Sequence, residues 1–233
     1  MSFAYPDGTA ALTEVSLSIA AGEAVGIVGP NGAGKSTLAN HLNGYHLPQR
    51  GKVLINGVEL TKQSAERLRR TVGVVFQNPD DQLFLSRVYD DVAFGPTNLG
   101  VAPAEIATRV EETLRGLGLW TLRDRPPSHL SQGQKRFAAF ATVLAMRPSV
   151  LVMDEPTADL DPRNRRKLSQ LVGGLHATRV TVSHDLDFVW DTCSRVLIMA
   201  AGRLVADGPA REILGTRDLL EAHGLELPLR LQP

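Results

Sequence analysis

A single cysteine, Cys193, stands among 233 residues. It can close no internal disulfide, which fits a reducing compartment, and its ordinary role is that of a small buried apolar residue. Neither charge is in surplus, because 25 Lys and Arg balance 25 Asp and Glu. That balance argues against nucleic-acid binding driven by bulk charge, and no nucleic-acid partner is expected. Long apolar runs are missing as well. The longest, "FAAFATVLAM" at 137–146, falls short of the roughly 20 residues that span a bilayer. The opening "MSFAYPDGTAAL" has neither the basic nor the apolar region of a signal peptide. The expectation is a chain that is cytosolic or at most peripheral to a membrane. His41, His46, His129, His176 and His223 are scattered without ligand spacing, which reads as solvated or core histidine rather than a metal site.

What is present is an alternation of strand and helix patterns. "LTEVSLSIAAGEAVGIVG" alternates and then runs apolar into glycine, predicting a strand pair and a buried strand. "KSTLANHLNG" has helical spacing and closes on Gly44, a C-cap candidate. "GKVLINGVEL" carries Asn-Gly between alternating apolar residues, the mark of a hairpin, and "VGVVF" at 72–76 reads as a short buried strand. Residues of about 78–148 then turn helical ("PAEIATRVEETLRGLGL", "SQGQKRFAAFATVLAM"). Strands resume with "SVLVMDE", "TRVTVSH", "RVLIMAAG" and "GRLVADG", and "PAREILGTRDLLEAHGLELP" predicts one helix and an extended end. Strands separated by helices imply a largely parallel α/β sheet carrying an inserted helical subdomain.

"GPNGAGKST" at 29–37 follows the apolar strand and satisfies G-x-x-x-x-G-K-[ST]. Gly29, Gly32 and Gly34, spaced by Pro30, Asn31 and Ala33, let successive N–H groups turn inward toward phosphate oxygens. The helix that begins near Lys35 adds about half a positive charge from its dipole. Lys35 would reach the β- and γ-phosphates, Ser36 would hold Mg²⁺ through its hydroxyl, and Thr37 completes the motif. "SVLVMDEP" at 149–156 delivers two acids at the C-terminal end of a strand. Asp154 would hold Mg²⁺ through its water shell, and Glu155 would polarise an attacking water. His184, in "TVSHDLD", would reach the same sheet edge.

In order, the chain carries "GPNGAGKST", Gln77 after a strand, "LSQGQKR" at 130–136, "VLVMDEPTADLD" at 150–161 and "VSHD" at 182–185. Across nearly its whole length it resembles the ATP-binding cassette (ABC) family. The resemblance implies a P-loop NTPase (RecA-like) core of about 1–77 and 149–233. A small antiparallel β subdomain and a helical subdomain of about 78–148 complete the expected fold. It also implies a head-to-tail dimer, homomeric or heteromeric, with two ATP molecules and Mg²⁺ between subunits. In such a dimer Ser131, Gly133 and Gln134 of one subunit cap the γ-phosphate held by the other. Tyr5 resembles the aromatic residue that stacks on adenine, His184 the γ-phosphate sensor, and Asp159 and Asp161 the interfacial loop. Three departures stand out. Gln132 replaces the usual first glycine of the signature, and Phe137 replaces a basic residue. Family members also usually begin with a strand of several residues ahead of the aromatic segment.

"FQNPDDQLF" and "DVAFGPTNLG" further resemble the ATPases of energy-coupling factor (ECF) importers of vitamins and transition-metal ions. "HLNG", "RPPSHLSQGQKR" and "EAHGLELP" look like the cobalt and nickel branch. This implies peripheral attachment to the cytoplasmic side of the cell membrane. A membrane coupling subunit would dock near Gln77–Phe84, and a separate membrane subunit would choose the substrate. Gln77 would contact the Mg²⁺ water shell, while Leu83 and Phe84 would meet a partner helix and Asp80 and Asp81 its arginines. A vitamin importer, or a soluble ABC ATPase that transports nothing, are the alternatives.

Overall fold

The computed structural model describes residues 1–232. Its centre is a six-stranded sheet in the order β10–β9–β3–β8–β7–β6. The strands are β3 (Ala24–Val28), β6 (Val72–Val75), β7 (Val150–Asp154), β8 (Thr178–Val182), β9 (Arg195–Ala200) and β10 (Arg203–Pro209). All neighbours run parallel except β10, which returns antiparallel along β9. β3 is buried along its full length, as a strand covered on both faces must be, and so its sequence runs continuously apolar rather than alternating. β7 serves two cores at once. Val152 packs with Val25, Ile27 and Leu38 on one side, while Leu151 and Met153 pack with Leu168 and Phe188 on the other.

Helix α1 (Lys35–Leu42) follows β3, α2 (Ala65–Arg69) precedes β6, α6 (Pro162–Gly173) follows β7 and α7 (Leu186–Thr192) follows β8. Between β6 and β7 the chain makes α3 (Val88–Asn98), α4 (Pro103–Gly116) and α5 (Gln132–Leu144). Val92, Val110, Leu114 and Phe140 are fully buried where these three meet, each contributing about 1.5–3 kcal/mol. α3 falls within the 78–148 region read as helical, outside the two segments quoted for it, and Pro96 lies inside the helix. Tertiary packing of Val88 and Val92 overrides its local cost.

Two expectations are corrected. The tail forms two short helices, α8 (Ala210–Gly215) and α9 (Arg217–Ala222), because Thr216 is extended and its hydroxyl bonds back to Glu212 O at 2.7 Å. The strand pair expected within "LTEVSLSIAAGEAVGIVG" does not form ahead of β3; the pairing present is β1 (Phe3–Ala4) against β2 (Ala10–Leu12), which shares only Leu12 with that stretch. Val15, Leu17 and Ile19 do turn inward, but after Val15 N–H donates to Met1 O at 2.9 Å the ladder ends. A cleft of about 530 Å³ separates Val15–Ala21 from Lys52–Asn56. Alternation gives a strand only where a neighbouring backbone supplies hydrogen bonds. The Asn-Gly hairpin is present, with β4 (Leu54–Ile55) and β5 (Val58–Glu59) joined by Asn56 and Gly57, both at positive φ.

Among the glycines, Gly29 leaves a side chain the least room. Its φ is 146°, and a Cβ there would lie 2.1 Å from Met199 O on β9. Gly29→Ala is expected to destabilise the nucleotide-free protein by roughly 2–4 kcal/mol, read as a lower midpoint in thermal melting. An unchanged midpoint would show that the loop yields.

Candidate active site

β3 leads straight into the glycine loop, whose turns at Gly29, Gly32 and Gly34 all take positive φ before α1 begins. Lys35, 8% exposed, folds its ammonium back to donate to Gly29 O at 2.8 Å and Pro30 O at 2.9 Å. Burial pushes the Lys35 ammonium below its usual range, while the charges of Glu155 and Asp154 pull it back up. Asn31 is exposed and Ala33 buried. Ser36 Oγ donates to Asp154 Oδ1 at 3.3 Å, bridging the start of α1 to the end of β7. Burial raises the Asp154 carboxyl, the Ser36 bond lowers it, and Glu155 and Lys35 add opposing charge effects. A hydroxyl and a desolvated carboxylate facing one another fit a small hard cation that keeps most of its own waters. No group of three or more His, Cys, Asp or Glu side chains among the described residues forms a cage of its own.

Glu155 sits one residue on, with φ at 45°. That turn swings its side chain away from Asp154 and toward the end of β8. There His184 Nδ1 approaches Oε2 at 2.7 Å, the His184 N–H donates to Oε1 at 3.1 Å, and Ser183 Oγ donates to Oε2 at 3.2 Å. The carboxylate is 12% exposed whereas the His184 ring is 72% exposed, so the acid is fixed and the imidazole faces outward. A held carboxylate beside an exposed ring suits activation of a water next to a γ-phosphate.

Tyr5 OH shares a 2.8 Å hydrogen bond with Thr37 Oγ1 on α1. Its partly exposed ring meets Phe3 edge-on at 5.3 Å and His46 edge-on at 5.8 Å. Lys35, Ser36, Asp154, Glu155 and His184 are thus gathered on one sheet edge. Ser131 and Gln134 are not. They form a capping box at the start of α5, with Ser131 Oγ accepting from Gln134 N at 3.3 Å and Gln134 Oε1 accepting from Ser131 N at 2.9 Å. Gly133 lies in the first turn of the same helix, its α-carbon side against Asn164. Gln77 is exposed just past β6.

The docking residues divide. Leu83 is 7% exposed and belongs to the helical core, so it meets no partner, and Asp80 is already paired with Lys135 at 2.6 Å. Phe84 is 62% exposed and meets Phe94, itself 46% exposed, edge-on at 5.1 Å. Phe94 lies in the "DVAFGPTNLG" stretch, but its place beside Phe84 follows only from the packing of α3. Another pair unmarked by sequence is Arg165 with Asp185, joined through two bonds of 2.5 and 2.6 Å. Asp185 also caps α7 through Phe188 N at 2.9 Å, fixing the turn that carries His184. Burial draws the Asp185 carboxyl upward, but these bonds outweigh it and hold the group below its usual range.

This geometry defines a P-loop ATPase site. The ABC transporter family model matches residues 12–158, and the chain belongs to the ABC transporter family, whose cassettes hydrolyse ATP. The energy-coupling factor transporter ATP-binding protein EcfA of Carboxydothermus hydrogenoformans is 48% identical, covering 98% of this chain and 86% of that protein. The structure of cbiO1 from Clostridium perfringens, part of the ABC transporter complex cbiONQ, superposes with a TM-score of 0.84 at 37% identity. It covers 95% of this chain and 90% of that one. A dimeric ATP-binding cassette in a post-hydrolysis state, bound to ADP and Pi, gives 0.81 at 27% identity, covering 90% and 95%.

Magnesium and ATP are expected to raise the melting midpoint by relieving the desolvated Asp154 carboxylate. Because that carboxyl is raised, protons compete with the metal, and the stabilisation should fade as the pH drops through its titration. In Asp154→Asn the Mg²⁺-dependent part should be lost. An equal Mg²⁺ effect in variant and parent, measured by calorimetry, would remove Asp154 from metal binding.

Proposed function

We propose that this chain is the ATP-hydrolysing subunit of an ECF-type importer for cobalt or nickel ions, attached peripherally to the cytoplasmic side of the cell membrane. The observation that carries the ATPase part is the Glu155–His184 contact, 2.7 Å long, beside the Lys35, Ser36 and Asp154 cluster. ECF membership is supported by the EcfA and cbiO1 likenesses, and the choice of metal by the sequence resemblance to that branch.

In this reading the glycine-loop N–H groups, from Gly29 to Gly34, cradle the phosphates and Tyr5 stacks on the base. Lys35 exchanges its two carbonyl partners for phosphate oxygens. Ser36, Asp154 and Gln77 hold Mg²⁺ and its waters, and Mg²⁺ supplies charge neutralisation at the phosphates when bound. Glu155 polarises the water and His184 reads the γ-phosphate. One chain provides half of the site. The capping box uses Ser131 Oγ only as an acceptor, so its O–H, with the first-turn amides of Gln132 and Gly133, remains to face the ATP of a second subunit. Homodimer and heterodimer both satisfy this arrangement.

The exposed Phe84–Phe94 pair is the seat for a cytoplasmic helix of the membrane coupling subunit. A third, membrane-embedded subunit selects the ion.

Glu155→Gln should slow ATP turnover by roughly 10²–10⁴-fold while ATP still drives dimerisation. Turnover at the parental rate would exclude Glu155 as the base. For docking, Phe84→Ala with Phe94→Ala should cost about 2 kcal/mol or more, roughly thirtyfold in affinity for the coexpressed coupling subunit, with ATP affinity unchanged. Undiminished recovery of that complex on affinity purification would refute the seat.

A further inference from the structure

Arg136 has no place in the site described so far, yet it is one of the largest fully buried side chains, 2% exposed. Burying a guanidinium is costly, and burial pushes this one below its usual range, with the charge of Asp159 acting against that. Its hydrogen bonds run to backbone carbonyls: one nitrogen donates to Phe76 O at 3.1 Å and Gln77 O at 2.7 Å, and the other to Ala158 O at 3.1 Å. A single side chain on α5 therefore holds the segment leaving β6 and the segment beyond Glu155.

Little else joins these two segments. A polar cleft of about 300 Å³ lies between them, lined by Phe76, Gln77, Asn78, Gln132, Ala158 and Asp159. Asp159 takes a left-handed φ of 60°, a conformation that a non-glycine residue holds only when its surroundings enforce it. α5 also grips the first segment from its far side. Gln82 accepts from Phe76 N at 3.0 Å while donating to Ala139 O at 2.8 Å and Thr142 Oγ1 at 2.7 Å. The planar fork of arginine explains the residue type, since it spans three acceptors in two directions, whereas a lysine ammonium is a point.

We propose that Arg136 is a positioning residue for ATP hydrolysis. It locks the Gln77 backbone and the Ala158–Asp159 loop to the helix that opens with Ser131, so these three parts shift as one body. This inference rests on the role given to Gln77 at Mg–ATP. Arg136 touches no substrate; it acts by setting where Gln77 can be, with the Ala158 carbonyl as its anchor on the other side.

The test is a double-mutant cycle in the full chain, with Arg136→Lys, Gln77→Ala and both together. Turnover, the KM for ATP, the Mg²⁺ concentration for half-maximal rate and the melting midpoint are measured for each. Arg136→Lys keeps a buried cation and should fold, whereas Arg136→Met strips three carbonyls of their donor and serves only as a folding control. Expected for Arg136→Lys is a fall in kcat of about 10- to 100-fold, with the ATP KM within about twofold and a raised Mg²⁺ requirement. Added to Gln77→Ala, it should lower kcat by less than about twofold further. Parental turnover in Arg136→Lys would overturn the proposal, and so would a multiplicative effect in the double variant when Gln77→Ala alone is slow. Parental turnover in Gln77→Ala would instead sink the role of Gln77, and this inference with it.

Discussion

Everything at the site depends on three adjacent parallel strands ending together. β3, β8 and β7 are neighbours in register, with Ile27 beside Val182 and Val182 beside Asp154. The ladder continues one step past the strands, through Ser183 N to Ile27 O at 3.2 Å and Glu155 N to Val182 O at 2.9 Å. Backbone hydrogen bonds therefore set where the glycine loop, the acid pair and Ser183–His184 stand relative to one another before any side chain contributes. A crevice beyond the carboxyl ends of such strands is where open α/β sheets bind ligands. Here it also explains why Glu155 needs its positive φ: the last ladder bond fixes its N–H, and only a sharp turn then aims its carboxylate across at His184.

The site is organised at a cost to its own ions. Lys35 is drawn into the loop it serves, and Asp154 is desolvated with a serine hydroxyl as its hydrogen-bond partner. Both groups are shifted toward their neutral forms by burial, the electrostatic signature of a place prepared for opposite charge. In the proposed reading a nucleotide with its metal would supply both complements at once, phosphate for Lys35 and cation for Asp154. Affinity for the pair should thus exceed that for either alone, because each removes a separate penalty within the same low-dielectric space.

Most of this chemistry was legible in sequence because it is local. The glycine loop, the two acids after a strand and the histidine after the next are each set by a few consecutive residues whose conformation the strand end dictates. What sequence left dark depends on residues far apart. Gln82, Lys135 and Arg136 look like ordinary polar positions. They become ties only once α5 lies against the segment after β6, some 55 to 60 residues away in the chain. The same reason separates Leu83 from Phe84: neighbours in sequence, one faces the subdomain core and the other the solvent. β-patterned residues 15–19 mislead for the converse reason, since their alternation is intact but their hydrogen-bonding edge has no strand beside it.

Phe84 stands three residues beyond Asp81 and is held by an unusual anchor. Its N–H and that of Leu85 both donate to Asp91 Oδ1 at 3.1 Å, and Asp91 is 2% exposed with its other oxygen unpaired. Burial raises that carboxyl, and the two amides act against the rise. A buried carboxylate so placed gives the loop one stable position, because releasing the amides would leave the acid without compensation. The apolar pair of Phe84 and Phe94 is therefore presented on a braced surface rather than a floppy tip. That loop is continuous with Gln77, and Gln82 fastens it to α5. A displacement at the ATP edge can then reach the phenylalanines as motion of a single body, which is the mechanical requirement for turning a hydrolysis step into work on a partner.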